Sequence, residues 1–179
     1  MKILKNIGIG LGVFLLIIAI VPALLPDKYM VERSIEIDKP VDLVFLAVAD
    51  FNSYKKWNPW TQMEPTSKQT IEGEAATVGS KWSWDGKKVG KGSLTILALE
   101  PGKSIKSSLV FLVPMQSQAS DTWKFEATPT GSTKVIWHNE GGFGYMDRYF
   151  GLMLDGMLGG QFETGLKNLK SLAETGKAY

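Results

Sequence analysis

Between Ser34 and Asp38 hydrophobic and polar residues alternate, with Ile35 and Ile37 on one face. That is the period-two pattern of a half-buried strand. Pro40 suits the first position of a helix, because its missing N–H would have no partner there. Val41, Val44, Phe45 and Val48 follow at helical spacing, and Asp50, Asn52 and Ser53 end the run with cap and turn chemistry. Trp57 and Trp60 flank Asn58-Pro59, which predicts a loop or a short helix end. Beyond them, strands are predicted over 67–74, 80–84, 89–99, 104–113, 117–127 and 133–140. Asp85-Gly86, Pro101-Gly102 and Pro129-Thr130-Gly131 supply turns, and Gly141-Gly142 breaks the last strand. Tyr145 to Glu174 reads as a long helix, with Gly159-Gly160 as the point where it would be interrupted. One strand, two short helices, six strands and a long helix make an α+β fold, with helices on one face of an antiparallel sheet.

Strand parity assigns the faces. Over 117–127, Gln118, Ser120, Thr122, Lys124 and Glu126 meet water, while Ala119, Asp121, Trp123 and Phe125 face the concave side. In the last strand Val135, Trp137 and Asn139 point inward, and Lys134, His138 and Glu140 outward. Trp82 and Trp84 share a face, and Ile105, Leu109, Phe111 and Val113 form one row. On the long helix Met146, Phe150, Met153 and Met157 form a stripe beside Leu154, Leu158, Phe162, Leu166 and Leu169. The methionine half suits an irregular or adaptable surface.

These segments, in this order, resemble the START-like, or SRPBCC, superfamily, and within it the bacterial polyketide cyclase/dehydrase and lipid-transport group. The resemblance rests on the opening from Val31 to Trp60, Lys81-Trp82-Ser83-Trp84 with Gly90-Lys91-Gly92-Ser93, Phe111-Leu112-Val113-Pro114, Thr133 to Trp137, and Gly160 to Lys170. It spans about Tyr29 to Thr175. It implies a helix-grip fold, a curved antiparallel sheet of about seven strands wrapped on the C-terminal helix around a hydrophobic cavity. It also implies that catalysis in such a protein depends largely on cavity shape, so a missing triad does not exclude an enzyme.

The N-terminus differs in character from the rest of the chain. Ile7 to Leu25 contains no charged residue and follows Lys2 and Lys5. A run of roughly 20 apolar residues crosses a bilayer, and the positive flank keeps the N-terminus cytoplasmic. Residues 1–28 are therefore expected to be a retained single-pass anchor and linker, with 29–179 a ligand-binding domain on the non-cytoplasmic side. The alternative is a cleaved signal peptide and a secreted domain, for which Val21, Pro22 and Ala23 offer suitable residues. Gly8 and Gly12 form a GxxxG through which two helices could pair.

Composition narrows the chemistry. The 179 residues carry a net charge of +2 and no Lys/Arg cluster longer than a pair, so a nucleic-acid partner is not expected. Without cysteine, disulfides, thiolate catalysis and thiolate zinc sites are excluded. His138 is the only histidine and lies on the outer face, so neither a metal site nor a histidine base is expected. No G-x-S-x-G is present, and the glycine pairs do not precede a nucleotide-binding helix, so no cofactor is expected. Asp121 is a carboxylate on an apolar face, which suits either an acid/base group or a polar ligand contact, unless it reaches water at a strand end.

The expected ligand-binding residues are Trp82, Trp84, Phe111, Asp121, Trp123, Trp137, Asn139, Met153 and Met157. The leading expectation is a membrane-anchored module that binds a hydrophobic small molecule such as a lipid, isoprenoid or polyketide-like compound. The competing ones are a cyclase/dehydrase-type enzyme and an interaction domain whose cavity is filled by its own side chains.

Overall fold

The computed structural model describes residues 2–177. Met1, Ala178 and Tyr179 lie outside it, as does the side chain of Lys2, one of the two charges expected to flank the apolar run. Helix α1 (Lys2–Leu24) precedes strand β1 (Lys28–Ile37). Three short helices follow, where two were expected: α2 (Val41–Ala49), α3 (Phe51–Trp57) and α4 (Pro59–Met63). Asp50 and Asn58 divide them. The Asp50 carboxylate accepts from the Asn52 N–H, and the Asn58 side chain accepts from the N–H groups of Trp60 and Thr61, so each residue caps the helix after it.

The remaining strands are β2 (Lys68–Glu72), β3 (Lys81–Gly86), β4 (Gly90–Glu100), β5 (Ser104–Val113), β6 (Ser117–Ala127) and β7 (Thr133–Gly142). Helix α5 (Arg148–Thr175) ends the fold. The sheet is antiparallel throughout, in the order β1-β7-β6-β5-β4-β3-β2. This is the expected seven-stranded helix-grip architecture, with the long helix against the concave face.

Several local expectations need correction. Asp85-Gly86 is not the hairpin turn: both residues lie in β3, Gly86 pairs with Gly90, and residues 87–89 turn instead. Glu64 at the end of α4 sets that turn, its carboxylate accepting from the N–H groups of Lys87, Lys88 and Val89 at 3.0, 2.8 and 3.1 Å. Gly141-Gly142 does not break β7, because the pair is held in the ladder opposite Tyr29 and Lys28. Val113 leaves the row of Ile105, Leu109 and Phe111, since an irregularity in the β4–β5 register falls between Phe111 and Val113.

Helix α5 is continuous through Gly159-Gly160. A side chain at Gly159 would collide with the guanidinium of Arg33, which lies across the helix and pairs with Asp155 at 3.0 Å and Glu163 at 3.1 Å. Close approach, not a break, accounts for that glycine. The C-terminal half of α5 buries Phe162, Leu166 and Leu169 against the sheet, each at 1% exposure or less. Asn168 ties it to the short helices, donating to the Trp57 carbonyl at 3.1 Å and to Gln62 Oε1 at 2.9 Å.

Candidate functional site

Between the sheet, the short helices and the first half of α5 lies a cavity of about 530 Å³. That falls within the size range of small-molecule sites. Its lining is mostly apolar and aromatic, and it has two parts.

One part belongs to an aromatic stack. Trp123 and Trp137 are cross-strand partners on β6 and β7, and Phe162 of α5 continues the pile. Ring centroids lie 4.3 Å apart for the tryptophans and 3.9 Å for Trp137 and Phe162. Trp57 abuts both tryptophans edge-on, and Trp60 abuts Trp137 and Phe162. Offset and edge-to-face arrangements suit the ring quadrupoles. Trp137, Phe162 and Trp60 border the cavity.

The second aromatic wall stands on β3 and β5. Trp82 and Trp84 lie 4.9 Å apart, with Phe111 at 5.9 Å from Trp84. A side chain at Gly92, opposite Trp84 in the ladder, would come within 2.5 Å of the Trp84 ring, so glycine is what lets that ring lie over the sheet.

Polar groups converge on the cavity from β1, β6 and β7. Asp121 is 3% exposed, so it does not reach bulk water at a strand end. Its Oδ1 accepts from Trp137 Nε1 at 2.9 Å and Asn139 Nδ2 at 3.2 Å, and its Oδ2 accepts from Trp123 Nε1 at 3.0 Å. Asn139 Oδ1 in turn accepts from the Tyr29 hydroxyl at 3.0 Å. Burial pushes the Asp121 carboxyl above its ordinary pKa, while the N–H donors of Trp137, Asn139 and Trp123 oppose that rise. Burial also raises Tyr29 and, more strongly, the fully enclosed Tyr54, and the negative charge of Asp121 adds to both shifts. A carboxylate offers about four acceptor positions; three donors leave Asp121 with capacity to spare, and it borders the cavity.

Of the expected residues, Trp82, Trp84, Phe111, Asp121, Trp137, Asn139 and Met157 border this one cavity. Trp123 and Met153 do not. Trp123 is 1% exposed and sits beneath Trp57 and Trp137, so the stack covers it. Met153 is 65% exposed, because α5 turns Leu154 and Leu158 toward the cavity and leaves Met153 on its outward side. His138 lies on the outer face, with Nδ1 3.2 Å from Glu32 Oε2.

Strand parity missed the groups that arrive from loops and short helices. Tyr29 lies at the start of β1, and Tyr54, Asn58, Trp60 and Thr61 reach the cavity from α3 and α4. Among the described residues the buried Thr61 hydroxyl has no hydrogen-bond partner. The Asn58-Pro59 cap signal between two tryptophans was the one local hint to this group. Also among the described residues, no cluster of His, Asp or Glu has the makings of a metal site.

Solved structures share this architecture at low identity. DynU16, a protein of the dynemicin biosynthetic locus, aligns with a TM-score of 0.62 at 17% identity over 86% of this chain and 50% of its own. A protein from Chromobacterium violaceum aligns with a TM-score of 0.59 at 19% identity over 84% of this chain and 99% of its own. The Aha1 dimer from Colwellia psychrerythraea aligns with a TM-score of 0.58 at 21% identity, over 84% and 99%. These likenesses establish the fold alone. A search of the curated proteins finds no match. The family model described as polyketide cyclase / dehydrase and lipid transport matches residues 29–174, most of the chain, and the protein belongs to that family.

Proposed function

We propose that this protein is a single-pass, membrane-anchored binding module for a hydrophobic small molecule, with its domain on the non-cytoplasmic side. The observation that carries the reading is the aromatic cavity of about 530 Å³ with a buried polar cluster at its wall. An apolar ligand body would lie against Trp82, Trp84, Phe111, Trp137 and Met157. A polar end would meet Asp121, Asn139 and Tyr29. Asp121 Oδ2 and the Tyr29 oxygen retain acceptor capacity, so a hydroxyl or N–H is the complementary ligand group. Family membership supports a hydrophobic ligand. The 20-residue apolar segment Lys5–Leu24, with a mean hydropathy of 2.8 and only 6% of it buried, supports the anchor. A self-filled interaction domain would not leave such a space.

One observation favours a second reading. The Asp121 carboxyl is buried, raised in pKa and linked through Asn139 to a phenol beside an apolar cavity. That is the setting of a proton-transfer group, and it suits a cyclase/dehydrase-type enzyme acting on a compound held in the same place.

Photo-crosslinking tests the binding site. The full chain in phospholipid nanodiscs is irradiated with a diazirine-bearing long-chain alcohol, and the modified peptides are mapped. Labelling is expected on β3, β5 and β7. It should be lost in Leu109→Trp, which places an indole in the cavity, and kept in His138→Ala on the outer face. Labelling confined to α1 and the convex face would overturn the site.

A further inference from the structure

Helix α1 is joined to the start of α5 by hydrogen bonds to its backbone. Pro22 lies inside α1 and has no N–H, so the Ile18 carbonyl lacks its helical donor. The Tyr149 hydroxyl takes that place, donating to Ile18 O at 2.8 Å. The Tyr145 hydroxyl donates to Ala19 O at 2.7 Å. Arg148 Nη1 donates to Pro22 O at 3.0 Å, a carbonyl that the Leu25 N–H also reaches at 3.2 Å as the helix ends. Nearby, the Phe143 N–H donates to Asp27 O at 2.8 Å. The junction therefore has several points of attachment and fixes the direction of α5 relative to α1.

The depth of the junction follows from helix geometry. Ile18 is six residues before Leu24, about 9 Å along the axis at 1.5 Å per residue. The segment Lys5–Leu24 is about 30 Å long on the same rise, the thickness of a bilayer core. The first turn of α5 is thus held beside the last two turns of the apolar helix, at the level of the membrane surface. Tyrosines are favoured at that level, with the ring in the apolar region and the hydroxyl among polar groups.

The outward side of α5 changes character along its length. Over the first half it presents Leu152, Met153 and Met157, exposed at 69, 65 and 65%, with Gly156 between them and Gly160 just beyond. Farther along it presents Glu163, Thr164 and Lys167. The one charged side chain in the first half after Arg148, Asp155, is drawn to Arg33. Phe150, 58% exposed, joins this surface and also borders the cavity together with Met157 and Met115, which is 55% exposed. An apolar surface of this kind, continuous with the membrane helix and with the rim of a cavity, has lipid as its natural partner.

We propose that the first half of α5 rests in the bilayer surface at the C-terminal end of α1, with Phe150, Leu152, Met153 and Met157 among the lipids, so that the cavity opens to the membrane and not to water. This rests on the reading of α1 as a membrane anchor and adds the orientation of the domain. A ligand would then pass between leaflet and cavity without crossing water.

The chain has no cysteine, so single labels can be placed freely. Leu11→Cys, Leu152→Cys, Met153→Cys and Lys167→Cys, each in the full chain, are labelled with nitrobenzoxadiazole and reconstituted into phosphatidylcholine vesicles containing a nitroxide-labelled phosphatidylcholine. Strong quenching is expected at positions 11, 152 and 153, several-fold more than at 167. Quenching at 11 with 152 and 153 no more quenched than 167 would overturn the orientation while leaving the anchor intact. Absence of quenching at 11 as well would overturn both.

Discussion

Asp121 is held by two indole N–H groups and one amide, in a wall made chiefly of tryptophan. A buried carboxylate is costly unless its acceptor positions are filled, and each of these donors comes from a residue on the same sheet face. The pH dependence follows from its raised pKa. The folded state binds the proton more tightly than the unfolded chain, so this group's contribution to stability is present at low pH and lost as pH rises through its folded pKa. Relative to Asp121→Asn, which does not titrate, the parent should gain stability as pH falls from neutral. Denaturant unfolding of both at a series of pH values checks this, and parallel profiles would contradict it. Glu64 works in the opposite sense. Its hydrogen bonds from the backbone of Val89 and Lys88 lower its pKa, so its contribution is present at neutral pH and lost as pH falls through the folded value. Glu64→Gln should therefore be most costly near neutrality and approach the parent in strong acid. Trp123 illustrates a third kind of residue. Because it lies beneath the stack, Trp123→Ala should cost about 3–5 kcal/mol of stability, and it should do so by cavity formation behind Trp137 and not by loss of a direct ligand contact. Calorimetry alongside crosslinking separates the two effects.

At the scale of elements, the two halves of α5 differ in burial. Its second half clamps the sheet. Leu166 and Leu169 are fully buried there, and Leu166→Ala or Leu169→Ala should each lower unfolding free energy by about 2–5 kcal/mol. A loss well below 1 kcal/mol at both, in the same titration, would mean the clamp lies elsewhere. Much of this was legible in the sequence because the signals are local. Period-two alternation placed Asp121, Trp137 and Asn139 on one face, and helical spacing separated the leucine stripe from the methionines. Depth was not legible. Parity puts Trp123 and Trp137 on the same face, but only tertiary packing decides that Trp137 borders the cavity and Trp123 does not. Rotation of α5 is likewise a tertiary matter: Met153 and Met157 share a stripe, yet Leu154 and Leu158 turn inward and only Met157 reaches the cavity. The division of the short helical region by Asp50 and Asn58 was readable as cap chemistry, but which residues it aims at the cavity was not.

For the whole molecule, helix α1, its junction with α5 and the cavity form a continuous sequence of parts. The hydrogen bonds from Tyr145, Arg148 and Tyr149 to the end of α1 are contacts that a cleaved leader would forfeit, and they favour retention. The N-terminal peptide of the membrane-extracted protein should therefore contain Lys2 or Lys5; a mature chain starting near Leu24 would point to secretion. The domain itself has its own core, from Val31 to Leu169, to which α1 contributes no buried residue among the described ones. A chain beginning at Asp27 should fold, as a cooperative thermal transition would show, and should lose membrane attachment. The proposed site stands or falls on what the cavity holds. Native mass spectrometry of the detergent-extracted full chain, followed by identification of any released molecule, measures it directly. The expected result is a bound apolar compound carrying a hydroxyl or N–H group at one end, present in the parent and absent from Leu109→Trp. A parent that carries no more bound mass than Leu109→Trp would contradict it.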